Sequence, residues 1–207
     1  MAEVVQLLPV AIEIIEQIMT EATKMLNADR ATLFLHDPKT SELFSRVAMG
    51  DNVGEIRLPD NVGIAGSVFQ SRETVNIPHA YADLRFNPAF DKKTGYFTRS
   101  ILCVPIMNKD GICIGCTQVL NKSGGGFTEE DESRLKAFTQ QVAIALENAQ
   151  LFEEVAKERT YSDSMLASMS NAVVTINEDG KIATCNKAGL KIFKVIPVQI
   201  IGKTVEE

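Results

Sequence analysis

Five residues between positions 121 and 132 have the types and spacing of an ionic latch. Asn121-Lys122 precede a Ser123-Gly124-Gly125-Gly126 spacer, and Phe127, three further residues and Asp131-Glu132 follow. A carboxylate in a first helical turn is favoured by the helix dipole. Thr128-Glu129-Glu130-Asp131 reads as a cap, with the Thr128 hydroxyl free to accept a first-turn N–H. An ammonium on Lys122 that reaches Asp131 across the glycine loop would latch a strand end to a helix. The same spacing also suits a capped helix that simply follows a flexible loop.

A second candidate is Asn61-Val62-Gly63-Ile64-Ala65-Gly66-Ser67-Val68-Phe69-Gln70. It reads as a turn opening a short helix whose small residues leave first-turn N–H groups accessible, where a phosphate can dock. The Gly-x-x-Gly is too short for a dinucleotide or triphosphate motif. Thiol and metal chemistry have less support. Cys113-Ile114-Gly115-Cys116 is formally C-x-x-C, but it lies in an apolar stretch read as a strand. Side chains three apart on a strand point to opposite faces, so the two thiols do not converge. The two histidines, His36 and His79, lack helical pairing and neighbouring cysteines. Buried, reduced cysteines and no metal are expected.

The elements that must position these groups follow from periodicity. Residues 3–27 read as an amphipathic helix with Val4, Leu8, Ala11, Ile15, Ile18, Ala22 and Met25 as its stripe, starting or bending at Pro9. Thr32–His36 and Leu43–Met49 form a hairpin around Asp37-Pro38-Lys39-Thr40, and Glu55–Leu58 is a short third strand. Thr74–Pro78 is another short strand. His79–Arg99 is a long connection carrying Tyr81, Phe86, Phe90, Tyr96 and Phe97, too aromatic for disorder and suited to a lid. Ser100–Met107 and Ile112–Leu120 are two central strands. A helix runs from about Thr128 to about Ser170, with Leu135, Phe138, Val142, Ala145, Ala149, Phe152 and Ala156 as a coiled-coil-grade seam that predicts a parallel dimer. Beyond it, a hairpin around Asn177–Gly180 and a short helix from Asn186 to Phe193 read as the start of another domain.

Bulk properties narrow the class. The 207 residues hold 45% hydrophobic and 23% charged side chains, which are globular values. A net charge of -6 argues against nucleic acid as a partner. No secretory signal and no membrane-spanning run is evident, so a soluble, cytoplasmic protein is expected.

The order of elements resembles the GAF domain, a small-molecule sensor module, over about residues 3–150. Gly63-Ile64-Ala65-Gly66, Asn76-Ile77-Pro78-His79-Ala80-Tyr81 and Arg99-Ser100-Ile101-Leu102-Cys103-Val104-Pro105-Ile106 strengthen the resemblance. Asn121, Lys122, Phe127, Asp131 and Glu132 match the Asn-Lys…Phe-x-x-x-Asp-Glu signature of its cyclic-nucleotide-binding members, as in cyanobacterial adenylyl cyclases and phosphodiesterases. The implied fold is α+β: a central antiparallel sheet with the N- and C-terminal helices on one face and a lid over a ligand pocket on the other. The expected domains are a GAF sensor at 3–150, a helical signalling linker at 151–170 and the N-terminal part of a PAS domain, which the last segment resembles, at 171–207.

The resemblance implies a non-catalytic regulatory domain that binds a cyclic nucleotide and controls an output domain, adenylyl cyclase first, through a dimeric helix. No cofactor is implied. Residues implied to contact the ligand are Thr32, Ala48, Met49, Ile64, Ala65, Asn87, Asp91, Thr94, Thr98 and Gln118, while the signature residues hold the pocket shut. Met49, standing where a carboxylate could pair guanine N1–H and N2–H₂, tilts the ligand towards cyclic AMP over cyclic GMP. Gln118, able to donate or accept, suits either base. The alternative is a ligand-free GAF dimerisation module in a signalling protein such as a histidine kinase. The absence of lid cysteines argues against methionine sulfoxide reductase chemistry, and the absence of a Cys-His dipeptide argues against a bilin.

Overall fold

A computed structural model describes residues 9–48 and 55–204. The chain divides into two compact units, Met1–Gln150 and Leu151–Glu207. In the first, helix α1 (Pro9–Met25) leads into strands β1 (Ala28–Asp37), β2 (Glu42–Ala48) and β3 (Arg57–Pro59). Helix α2 (Gly63–Ser71) and strand β4 (Val75–Ile77) follow, then a 3-10 turn (Ala80–Ala82) and helix α3 (Ala89–Thr94). Strands β5 (Ile101–Met107) and β6 (Cys113–Lys122) precede helix α4 (Glu129–Ser168). The sheet has six strands in the order β3-β2-β1-β6-β5-β4, and every pair is antiparallel.

Alternation along the strands separates two apolar layers. Leu33, Leu35, Leu102, Val104 and Val119 pack with Ile15, Met19, Leu135, Val142 and Leu146 of the long helices. Phe34, Leu43, Ile101, Cys103 and Cys116 point the other way and pack with Ile64, Ala65 and Val68 of α2 and Ala80 of the lid. The helices thus cover one face and the lid the other, which is the expected α+β architecture. Two close approaches fix the arrangement. A Cβ on Gly115 would stand 2.1 Å from the Phe34 carbonyl oxygen, and one on Gly66 would stand 2.8 Å from the backbone carbon of Asn61.

The helix stripes differ from the sequence expectation. On α1 the buried set is Ala11, Ile15, Met19 and Ala22, continued by Leu26, while Met25 is half exposed. Val4 and Leu8 lie outside the described residues. On α4 Leu135, Val142 and Ala149 are buried in the layer between the sheet and the long helices, so this part of the seam is occupied within the chain. The exposed apolar residues of α4 are instead Ile144, Leu151, Phe152, Val155 and Met165.

The second unit, taken by itself, contains strands β7 (Val174–Ile176) and β8 (Ile182–Cys185) and helices α5 (Lys187–Phe193) and α6 (Pro197–Ile200). Asn186 organises it: the side-chain oxygen accepts from the amides of Val173 and Gly189, and the side-chain nitrogen donates to the carbonyls of Leu166 and Asn171. Among the described residues, no helix is long and apolar enough to cross a membrane. No group of three or more His, Cys, Asp or Glu side chains among them could hold a metal ion.

Candidate functional site

A cleft of about 360 Å³ opens on the lid face of the sheet. Small-molecule sites span about 300–1,000 Å³. Its floor comes from one face of β1 (Arg30, Thr32, Phe34) and from Ile101, Gln118 and Leu120. Antiparallel pairing sets Thr32 opposite Gln118 and Arg30 opposite Leu120, so the four side chains share a face. Val62, Gly63, Ile64 and Ala65 form one end, and Phe86, Asn87, Phe90, Asp91 and Thr98 come from the lid.

Helix α2 presents an open N-terminus to this cleft. Val62 supplies no side-chain cap. The first intrahelical bond runs from Gly66 N–H to the Val62 carbonyl at 3.2 Å, so the amides of Gly63, Ile64 and Ala65 precede the helical ladder. Gly63 turns the chain into the helix at φ 73°, a left-handed value that a side chain disfavours. N–H groups that precede the ladder at a positive dipole end are an arrangement that suits an anion.

Two further cleft groups have spare hydrogen-bonding capacity. The Arg30 guanidinium lies 3.9 Å from the ring centroid of Tyr96. Among the described residues it makes no ion pair or hydrogen bond. Gln118 likewise has no side-chain hydrogen bond among the described residues. Arg57 also lines the cleft, but Glu42 and Glu55 hold its guanidinium.

Of the residues assigned to the ligand by resemblance, Thr32, Ile64, Ala65, Asn87, Asp91, Thr98 and Gln118 line the cleft together. Ala48 does not. It ends β2 opposite Thr32, at the rim of that strand pair. Thr94 does not either: it is exposed at the end of α3, with its hydroxyl donated back to the Phe90 carbonyl at 2.9 Å. A hydroxyl at a helix end commonly bonds its own helix in this way. Met49 lies outside the described residues. Asn87 uses its side-chain oxygen to accept the Ala89 amide, which leaves its nitrogen as the free donor. Asp91 accepts from the Tyr81 hydroxyl and from both the amide and hydroxyl of Thr98. Partial burial, followed by this hydrogen bond to Asp91, raises the Tyr81 phenol above its ordinary value.

The signature residues form a clasp beside the cleft. Lys122 Nζ stands 2.8 Å from Asp131 Oδ1 and 2.7 Å from Oδ2. Thr128 and Asp131 cap each other: the Thr128 amide donates to Oδ2 at 2.8 Å, and the Asp131 amide donates to the Thr128 hydroxyl at 3.3 Å. Burial pushes the Asp131 carboxyl up, but the Lys122 ammonium and the Thr128 donors outweigh it and hold the carboxyl below its ordinary value. Phe127 is buried in the helix-side layer. Asn76 on β4 donates to both the Phe127 carbonyl and Glu132 Oε1 at 3.0 Å, a role its sequence context did not reveal. Asn121 binds the end of the lid. Its oxygen accepts from the amides of Arg99 and Ser100, and its nitrogen donates to the Tyr96 hydroxyl and the Phe97 carbonyl.

The cysteines are unpaired thiols. The Cys103 thiol beside it, and then burial, push the Cys116 thiol well above its ordinary value, and burial raises Cys113. Protonated thiols in this state are poor nucleophiles. Sequence reasoning missed Arg30, although its position two residues before Thr32 on a strand places both on one face.

Several known proteins are similar to this chain in sequence or in fold. The dual 3',5'-cyclic-AMP and -GMP phosphodiesterase 11A of Takifugu rubripes is 44% identical over 155 residues, covering 69% of this chain and 17% of that protein. The probable 3',5'-cyclic phosphodiesterase pde-5 of Caenorhabditis elegans is 37% identical over 182 residues, covering 82% and 25%. The cGMP-specific 3',5'-cyclic phosphodiesterase of Drosophila virilis is 37% identical over 158 residues, covering 69% and 18%. The chain thus spans about a quarter or less of the length of these curated relatives. Among solved structures, the GAF domain from a Coxiella burnetii phosphoenolpyruvate-protein phosphotransferase superposes with a TM-score of 0.64 at 21% identity, covering 71% of this chain and 88% of that one. Its Acinetobacter counterpart gives 0.60 at 23%, covering 70% and 86%. These two structures speak to the fold. The family profile described as GAF domain matches residues 11–146, and the chain belongs to the GAF-domain family.

Proposed function

We propose that the cleft binds a purine cyclic nucleotide and that this GAF domain is a regulatory, non-catalytic module. The observation that carries the reading is the uncapped start of α2, whose Gly63, Ile64 and Ala65 amides open on the cleft. A cyclic phosphate carries a single charge and suits those three donors. The unpaired Arg30 and the free amide of Gln118 remain for the base, and the lid residues Asn87, Asp91 and Thr98 close over the ligand. The names of the relatives, cyclic-AMP and cyclic-GMP phosphodiesterases, support the same ligand class.

Cyclic AMP is the ligand proposed first. Gln118 can bond adenine N6 and N7 together, an arrangement well suited to an amide. The Met49 argument for adenine rests on a residue outside the described ones. Arg30 favours a second reading, cyclic GMP, because a free guanidinium bonds guanine O6 and N7 as a pair. Binding of both nucleotides to Gln118→Ala and Arg30→Met decides between them. Selective loss of cyclic AMP binding in the first supports adenine; selective loss of cyclic GMP binding in the second supports guanine.

The output is proposed to be a cyclic-nucleotide enzyme: adenylyl cyclase from the sequence resemblance, or a phosphodiesterase as the relatives are named. The PAS-like reading of residues 171–207 and a homodimer through the terminal helices belong to the same proposal. Exposed Leu151, Val155 and Met165 on α4 supply an apolar surface for the second copy. Sedimentation of the chain with and without residues 151–207 tests the dimer. A monomer at high micromolar concentration in both forms contradicts it.

A further inference from the structure

Strand β1 carries Arg30, Thr32 and Phe34 to the cleft floor, and His36 is the next residue on that face. It lies outside the cleft lining and is turned to α2. Its Nε2 stands 3.0 Å from Asp60 Oδ2, and its ring centroid lies 4.4 Å from that of Phe69 on α2. A carboxylate only accepts, so Nε2 is the donor of this bond. The two side chains are 22% and 20% exposed, so the pair is largely shielded from water.

Asp60 stands in the turn that opens α2, three residues before Gly63. The backbone of this turn is already bonded. The Asp60 amide donates to the Ser41 carbonyl and the Val62 amide to the Pro59 carbonyl, both at 3.0 Å, and Gln70 Nε2 donates to the Asp60 carbonyl at 3.3 Å. None of these bonds uses the Asp60 carboxylate, whose one hydrogen-bond partner among the described residues is His36. Unheld, the carboxylate has another place to go. An Asp just ahead of a helix accepts from amides two and three residues on, and the positive end of the dipole attracts its charge. From Asp60 those positions are Val62, whose amide is taken by Pro59, and Gly63, whose amide opens on the cleft. A carboxylate turned to Gly63 would take a donor from the site and repel an anion at the neighbouring amides.

We infer that His36 is a positioning residue for the proposed phosphate site: it holds the Asp60 carboxylate off the Gly63 amide and so keeps the start of α2 open to a ligand's anion. The inference rests on the proposed nucleotide site. His36 touches no ligand and acts through Asp60, while its contact with Phe69 fixes the ring against the helix whose start it guards. Asp60 is then a competitor for the site that belongs to the chain itself, and the structure has it turned away.

Equilibrium binding of cyclic AMP and cyclic GMP to the full chain, with a thermal melt of every variant, tests this. His36→Phe keeps a ring against Phe69 but lacks the donor, and its affinity falls about two- to thirtyfold, the range of an ordinary capping interaction. His36→Leu takes its place if His36→Phe does not fold. His36→Gln, whose side-chain amide can donate in place of Nε2, keeps the affinity. Asp60→Ala, with the competitor removed, binds at least as tightly as the parent, and Asp60→Ala combined with His36→Phe regains what His36→Phe alone lost. A tie that only braces the turn predicts the opposite: Asp60→Ala loses as much as His36→Phe, and the double variant is not rescued. That result, or parent-like affinity in His36→Phe, overturns the inference and leaves the nucleotide site standing. No binding of either nucleotide to the parent removes the site and the inference with it.

Discussion

The carboxylate of Asp91 takes both hydrogen bonds that Thr98 can give, from the amide at 2.7 Å and from the hydroxyl at 2.8 Å. Both residues are buried, and the Tyr81 hydroxyl adds a third bond to the same carboxylate. Two groups assigned by resemblance to the ligand are thus bound to each other in this structure. They staple the short helix α3 to the segment that leads into β5, and so set the height of the lid above the cleft.

Asp91→Ala leaves the Thr98 amide and hydroxyl buried without an acceptor, at a cost of about 1–3 kcal/mol for each stranded group. The expected result is a lower melting temperature together with weaker nucleotide binding. Thr94→Ala, at an exposed hydroxyl outside the cleft, leaves both within error. Thermal melts and equilibrium binding of the two variants side by side check the contrast.

The Lys122–Asp131 pair gives stability with a defined pH dependence. Because the folded-state value of Asp131 lies below the ordinary 3.8, its contribution is complete above that value and is lost as pH falls through the folded-state value. Asp131→Asn leaves a largely buried ammonium with one carbonyl partner and costs about 3 kcal/mol at neutral pH. Urea unfolding at pH 7 and at progressively lower pH checks this. The gap between variant and parent narrows below pH 3.8.

Alkaline titration reads the end of the lid, where Asn121 donates to the Tyr96 hydroxyl. Burial, and then the nearby Asp29 carboxylate, push the Tyr96 phenol up to about 12. A folded value above the unfolded 10.0 means that the stability it carries is full below that pH and is lost as pH rises towards 12. Absorbance of the tyrosines as they ionise resolves a phenol that titrates near 12, and Tyr96→Phe removes it.

Backbone approach at two glycines sets a steric test. Gly115→Ala forces a methyl onto the Phe34 carbonyl, and overpacking of this kind costs about 1–3 kcal/mol or more. Gly66→Ala pushes instead on Asn61, in the turn that aims the α2 amides at the cleft. The first variant folds poorly. The second is expected to lose nucleotide affinity by more than its melting temperature suggests, a split that titration and melting resolve together.

Much of this fold is legible in the residue pattern because period-two and period-three-to-four burial leave direct traces. The two central strands, the aromatic lid and the Thr128 cap are of that kind. Other features depend on which element a side chain meets, which no spacing encodes. The α4 seam reads as a dimer surface from sequence, yet Leu135, Val142 and Ala149 pack on the chain's own sheet. The side chain of Asn121 turns to the lid at φ 57°, a left-handed angle that an argument from alternation does not show. In the cleft, the α2 start follows from small residues at a helix opening, whereas no spacing shows that Arg30 stacks on Tyr96 and makes no ion pair among the described residues.

The central claim is nucleotide binding at the open end of α2, and isothermal titration tests it most directly. The protein is first shown by native mass spectrometry to be free of bound ligand, then titrated with cyclic AMP and, separately, cyclic GMP. The account predicts saturable heat with at least one of them at one site per chain, weakened in Arg30→Met or Gln118→Ala according to the base. No heat and no displacement with either nucleotide, on folded ligand-free protein, contradicts it and favours a GAF domain that serves its signalling protein without a ligand.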